Sequence, residues 1–163
     1  MSARDTLTPE LRAEVLRLED DLRARVASLP EVQSAWRAEY DAARAAERTA
    51  AAWEAWVDER VTLAAVAWVL TMVFIRFCED NALVKPVWIS GPRHREATDA
   101  QQQFLRETAR SNADVTDREW LLQAVEYLRS LPATAGLVDD TSPMWLIGPS
   151  GDAATRLLNF WRE

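Results

Sequence analysis

The stretch VTLAAVAWVLTMVFI, residues 61–75, decides the fold. It contains no charge, no glycine and no proline. At about 1.5 Å per residue its helix is roughly 22 Å long, short of the roughly 30 Å hydrocarbon core of a bilayer. Arg60 precedes it, and Arg76, Glu79 and Asp80 follow on the same helix. Such a segment is expected to be a central core helix, about 61–80, with the other elements packed around it and no membrane partner.

Towards the N-terminus the pattern is amphipathic. Leu11, Val15, Leu18, Leu22, Val26 and Leu29 recur at helical spacing, while Glu14, Asp20, Asp21 and Arg25 take the other face. Thr8 is the expected N-cap, with Pro9 at the first helical position. Ser28 and Glu31 have capping-box spacing, so a second helix is expected from Pro30 towards Thr49. Val32, Trp36, Tyr40 and Ala43 form its apolar side. The stretch from Thr49 to Ala52 is expected to continue helically into Trp53, Trp56 and Val57. Periodicity leaves a break near Asp58 open.

Towards the C-terminus, KPVWISGP (residues 85–92) carries the punctuation of a loop. A helix is expected from about Thr98 to Arg110. Thr116 and Glu119 form a capping box before Trp120, Leu121, Ala124, Tyr127 and Leu128, in a helix that Pro132 ends. Ser150 is the expected N-cap of a last helix, 151–162. The chain stops at Trp161-Arg162-Glu163 within that helix, as expected of a fragment of something longer. The whole reads as one all-α domain, residues 1–163, of about six helices.

Composition bounds the function. The chain has 163 residues, 4 glycines, 8 tryptophans and a net charge of −7. That length and apolar content support a real core. The net acidity argues against a surface that grips nucleic acid throughout. The charge is uneven: residues 61–112 are net +1, and both flanking thirds are net −4. Lys85, Arg93, His94, Arg95, Arg106 and Arg110 fall in that middle third, which makes them the first place to look for contact with DNA or a partner.

The residues offer little chemistry. One His and one Cys cannot make a His/Cys zinc site, and nothing brings His94 and Cys78 together as a nucleophile and its base. The turn GPSGD, residues 148–152, lacks the lysine and spacing of a phosphate loop, and Asp152 would repel phosphate. Arg76, Glu79 and Asp80 share one face at i, i+3 and i+4, and read as a structural ion-pair cluster. A signal peptide is not visible in MSARDTLTPE, so a cytoplasmic location is expected.

The apolar helix ends in Phe74-Ile75-Arg76-Phe77-Cys78-Glu79-Asp80-Asn81-Ala82-Leu83. This resembles the N-terminal helical region of large adenine-specific DNA methyltransferases of the bacteriophage-exclusion (BREX) and type II restriction–modification groups. The resemblance is greatest to those of the BREX type 2, or phage growth limitation (Pgl), system. Supporting stretches follow in order: Trp36-Arg37-Ala38-Glu39-Tyr40, Trp53-Glu54-Ala55-Trp56, Trp88-Ile89-Ser90-Gly91-Pro92, Asp117-Arg118-Glu119-Trp120-Leu121, and Pro149-Ser150-Gly151-Asp152 before Phe160-Trp161.

The resemblance implies an enzyme several times longer, with a glycine-containing S-adenosylmethionine (AdoMet) loop and an Asn-Pro-Pro-Tyr-type motif for a flipped adenine. Neither is present here: no Asn precedes a Pro, and no two prolines are adjacent. The implied role is therefore a non-catalytic N-terminal module that packs on the methyltransferase core of the same polypeptide. It has no catalytic, cofactor or metal residue of its own, and AdoMet belongs to the downstream part. DNA and other defence proteins are the further expected partners. The alternative is a stand-alone helical protein-interaction module.

Overall fold

The computed structural model describes residues 3–91 and 94–162. Six helices account for most of them: α1 (Ala3–Ser28), α2 (Pro30–Ala45), α3 (Trp53–Asp80), α4 (His94–Thr108), α5 (Asp117–Ser130) and α6 (Gly151–Phe160). Two short 3-10 turns, Ala135–Leu137 and Pro143–Trp145, lie between α5 and α6. The fold is all-α, with no strand among the described residues.

The central apolar helix is α3. Its buried side runs through Val61, Ala64, Ala65, Trp68, Val69, Met72, Ile75 and Cys78. Leu18, Leu22 and Val26 of α1 pack in the same core, as do Leu121, Ala124, Val125 and Leu128 of α5. Ala153, Ala154, Leu157 and Leu158 of α6 complete it. The ring of Trp68 is 1% exposed, and its indole Nε1 donates to the carbonyls of Met144 (3.0 Å) and Ile147 (3.1 Å). One side chain thus fills the core and ties the 143–148 connector to α3. Trp36, Tyr40, Trp53 and Trp56 form an aromatic cluster between α2 and α3, with the Arg60 guanidinium 4.3 Å from the Trp56 ring centre.

Several local expectations are corrected. Helix α1 begins at Ala3, with Pro9 inside it, so Thr8 is no N-cap. Pro9 lies past the first turn, so it forgoes the bond to the Asp5 carbonyl and its ring crowds that carbonyl. The Ser28–Glu31 capping box does not form. Leu29, held extended before Pro30, occupies the N-cap position and has no side-chain acceptor. Ser28 instead closes α1 by donating to the Arg25 carbonyl.

Thr49 to Ala52 are not helical. Glu47 takes a left-handed φ of 55°, and a Schellman pair (Glu47 N to Arg44 O, Arg48 N to Ala43 O) ends α2. Tyr40 then fixes the break by donating its hydroxyl to Ala51 O at 2.9 Å. No break occurs at Asp58, where α3 is continuous. Helix α4 starts four residues earlier than expected, at His94.

Two expected caps are present. Around α5, Thr116 N donates to the Glu119 carboxylate at 2.7 Å, and the Thr116 hydroxyl oxygen accepts in return from the first turn. At α6 the Ser150 hydroxyl accepts from Ala153 N at 3.1 Å. The GPSGD turn also holds an anion, but an internal one: the Asp21 carboxylate accepts from Ser150 N (2.9 Å) and Ser150 Oγ (2.5 Å). Asp21 thereby pins α1 to the positive end of α6.

Gly151 is needed there because a Cβ would lie 2.9 Å from Thr116 Cβ, and the capping box holds Thr116 rigid. Gly151→Ala is expected to cost about 1–3 kcal/mol in urea unfolding, the usual penalty for overpacking a fixed contact.

Candidate docking face

The segment from Phe74 to Leu83 organises one end of the domain, and each side chain has a definable role. Arg76 Nε donates to Asp80 Oδ2 at 3.0 Å, and its Nη1 donates to Trp161 O at 3.3 Å, holding the end of α6 against α3. Cys78 is buried, and desolvation, with a smaller contribution from the charge of Glu79, pushes its thiol pKa up. That environment makes an inert packing thiol, not a nucleophile. Asn81 closes the helix by donating Nδ2 to Phe77 O at 2.8 Å.

Glu79 does not join the ion pair of Arg76 and Asp80. Its buried carboxylate enters the 84–91 loop and accepts three backbone N–H groups: Oε1 from Trp88 (2.6 Å) and Ile89 (2.8 Å), Oε2 from Ser90 (3.0 Å). Gly91, at φ 53°, closes the same turn; a Cβ there would meet Val87 Cγ1 at 3.1 Å and Glu79 Cβ at 3.3 Å. The Trp120 indole donates to Trp88 O at 2.8 Å, so α5 secures the loop from its other side.

The helix terminus uses Ala82 at a left-handed φ of 54°, with Ala82 N bonded to Glu79 O and Leu83 N to Cys78 O. A Schellman ending prefers glycine at that position. Ala82→Gly is expected to stabilise the domain by about 0.5–1 kcal/mol, relief of left-handed strain less the extra chain entropy of glycine. Thermal melting should register it as a rise of about 1–4 °C.

Phe77 and Leu83 have no such inward role: they are 55% and 64% exposed. Phe77 ends a row on α3 that includes Leu63, Val66, Leu70 and the half-buried Val73, at spacings of 3, 4, 3 and 4. Leu70 is 59% exposed. At its Phe77 end the row opens into a groove whose apolar lining is Leu7, Ala13, Val73, Phe77, Phe160 and Trp161, with the charged Glu10, Arg17, Arg76 and Asp80 also in its walls. Thus α3 is central but not enclosed: its second face is apolar and open. The row's heptad spacing was present in the sequence, but an apolar helix shows no contrast between its faces.

The expected contact residues are spread along α4 and the segments beside it. Arg95 lies in the first turn of α4 and Arg106 in its last, about 16 Å apart along the axis. Both are exposed, as are Arg110 beyond the helix and Lys85 in the preceding loop. Glu96, Asp99 and Glu107 interleave with the arginines of α4, giving a mixed surface and not a basic stripe. Arg93 and the side chain of His94 lie outside the described residues. Among the described residues no group of three or more His, Cys, Asp or Glu could hold a metal ion.

Among the described residues α3 is the one helix long and apolar enough to cross a membrane, and half of its most apolar window is buried inside the domain.

Over its whole length the chain is similar, at 42% identity across 169 aligned positions, to the N-terminal region of the adenine-specific methyltransferase PglX of Streptomyces coelicolor. The chain spans 14% of that relative's length. No family model and no solved structure matches the chain.

Proposed function

From this full-length similarity to the N-terminal region of PglX, we propose that the chain is the non-catalytic N-terminal helical module of a BREX/Pgl-type N6-adenine DNA methyltransferase acting in anti-phage defence in the cytoplasm. The module packs on the methyltransferase core of the same polypeptide. The AdoMet and adenine pockets belong to the remainder, since a flipped base needs a dedicated stacking pocket and the sequence motifs for one are absent here.

The observation that carries this reading is the 42% identity that covers the whole chain. The domain's geometry supports it. The polar groups of the Phe74–Leu83 segment are engaged in holding helices and loops together, and the exposed groups left over are apolar.

The test is a chimera in which this chain replaces the matching segment of Streptomyces coelicolor PglX. The chimera is expected to methylate adenine in DNA, read as N6-methyladenine by mass spectrometry, while PglX lacking the segment loses activity. Residues 1–163 alone are expected to give no heat with AdoMet in isothermal titration. Measurable AdoMet binding by the isolated chain would overturn the non-catalytic reading.

A further inference from the structure

We propose that the open face of α3, the row Leu63, Val66, Leu70, Val73 and Phe77, seats an amphipathic helix from the polypeptide that follows this module in the full-length methyltransferase. The inference rests on the function proposed above and adds to it the surface by which the module docks.

Three observations select this occupant. The first is the shape of the face. Five apolar positions at heptad spacing run for about 21 Å, the pattern by which one helix accepts another. Glu59 lies one turn before the row, and Arg76 and Asp80 border its other end, giving the seam a polar limit at each end.

The second is continuity. Phe160 and Trp161, where α6 ends, line the groove into which the row opens. Arg76 holds Trp161 O, and Arg162 Nε donates to Ile89 O at 2.8 Å, so this end of the chain is fixed beside Phe77. In the PglX relative the polypeptide continues far past the matched 14%. A segment leaving from this position reaches the α3 row without a long connection.

The third is charge. The chain carries −7, which opposes approach to an anionic lipid surface and to a second copy of itself. The exposed row is also shorter than a bilayer core of about 30 Å.

The experiment uses this chain and, as a separate polypeptide, Streptomyces coelicolor PglX lacking its matching N-terminal segment. Size-exclusion chromatography with light scattering is expected to show a 1:1 complex. Leu70→Glu with Phe77→Glu is expected to weaken that complex about tenfold or more, as loss of central apolar anchors does. The two side chains are exposed, so the melting temperature of the isolated double variant should stay within a few degrees of the parent, which separates docking from folding. Gln102→Glu, at an exposed position on α4, is the control and should leave the complex unchanged.

A complex indifferent to the double variant overturns the α3 face and leaves the module reading intact. No complex with the parent chain overturns the docking proposal, and methylation by the chimera decides the module reading separately. Self-association of the chain alone that the double variant abolishes assigns the face to a second copy. Sedimentation with phosphatidylglycerol vesicles that the double variant abolishes assigns it to lipid. Either result overturns the proposal.

Discussion

Glu79→Ala lowers the unfolding free energy by about 3–5 kcal/mol and releases the 84–91 loop, the cost expected when three loop amides lose their charged acceptor. The carboxylate is the acceptor for three consecutive loop amides, and two of them, on Ile89 and Ser90, belong to buried residues. Bonds from amides to a charged acceptor contribute about 1.5–3 kcal/mol each, and donors left buried without an acceptor lose more than the bond itself. Melting should fall by roughly 6–20 °C for a chain of this size.

Glu79→Gln separates charge from shape. It keeps the volume and one carbonyl oxygen, but turns an NH2 group towards at least one loop N–H. Its loss should lie between zero and that of alanine. Amide hydrogen exchange supplies the local readout: Trp88, Ile89 and Ser90 should lose protection in Glu79→Ala before the α1–α3 core does. Protection unchanged at those three amides would refute the assignment.

Trp68→Ala should be comparably severe, about 3–5 kcal/mol for loss of a fully buried indole from a packed core. The ring is 1% exposed, and its Nε1 serves two carbonyls on the Met144–Ile147 connector. Trp68→Phe removes the donor and retains much of the apolar contact, and is expected to cost about 1–3 kcal/mol, the range for orphaned buried acceptors. Urea unfolding followed by far-ultraviolet circular dichroism checks both. A Trp68→Phe variant as unstable as Trp68→Ala would show that the site requires the full ring volume and that the two hydrogen bonds contribute little.

Features decided within a few residues were legible in the sequence. The apolar run from Val61 to Ile75 specified the central helix. Thr116 with Glu119, and Ser150 before Gly151, specified two helix starts, because the donors and acceptors involved lie on adjacent turns. The same local rules misplaced other boundaries where a neighbour competed. Pro30 forced Leu29 extended and removed Ser28 from its capping role, and Glu47 adopted a left-handed conformation that ends α2 without a glycine signal.

Of the proposed contact residues, sequence could name the cations but not show that Glu96, Asp99 and Glu107 share the α4 surface with Arg95 and Arg106. The tertiary structure alone decided the partners of Glu79, Asp21 and Trp68. The Glu79 amides lie 9 to 11 residues away across a loop, Ser150 lies 129 residues from Asp21, and the Trp68 acceptors lie 76 and 79 residues away. The same holds for the open face of α3. Composition made the helix apolar on every side, and hydrophobicity has no direction of its own. Which half of α3 met α1 and the connector, and which half was left for something else, was settled by how the other helices packed.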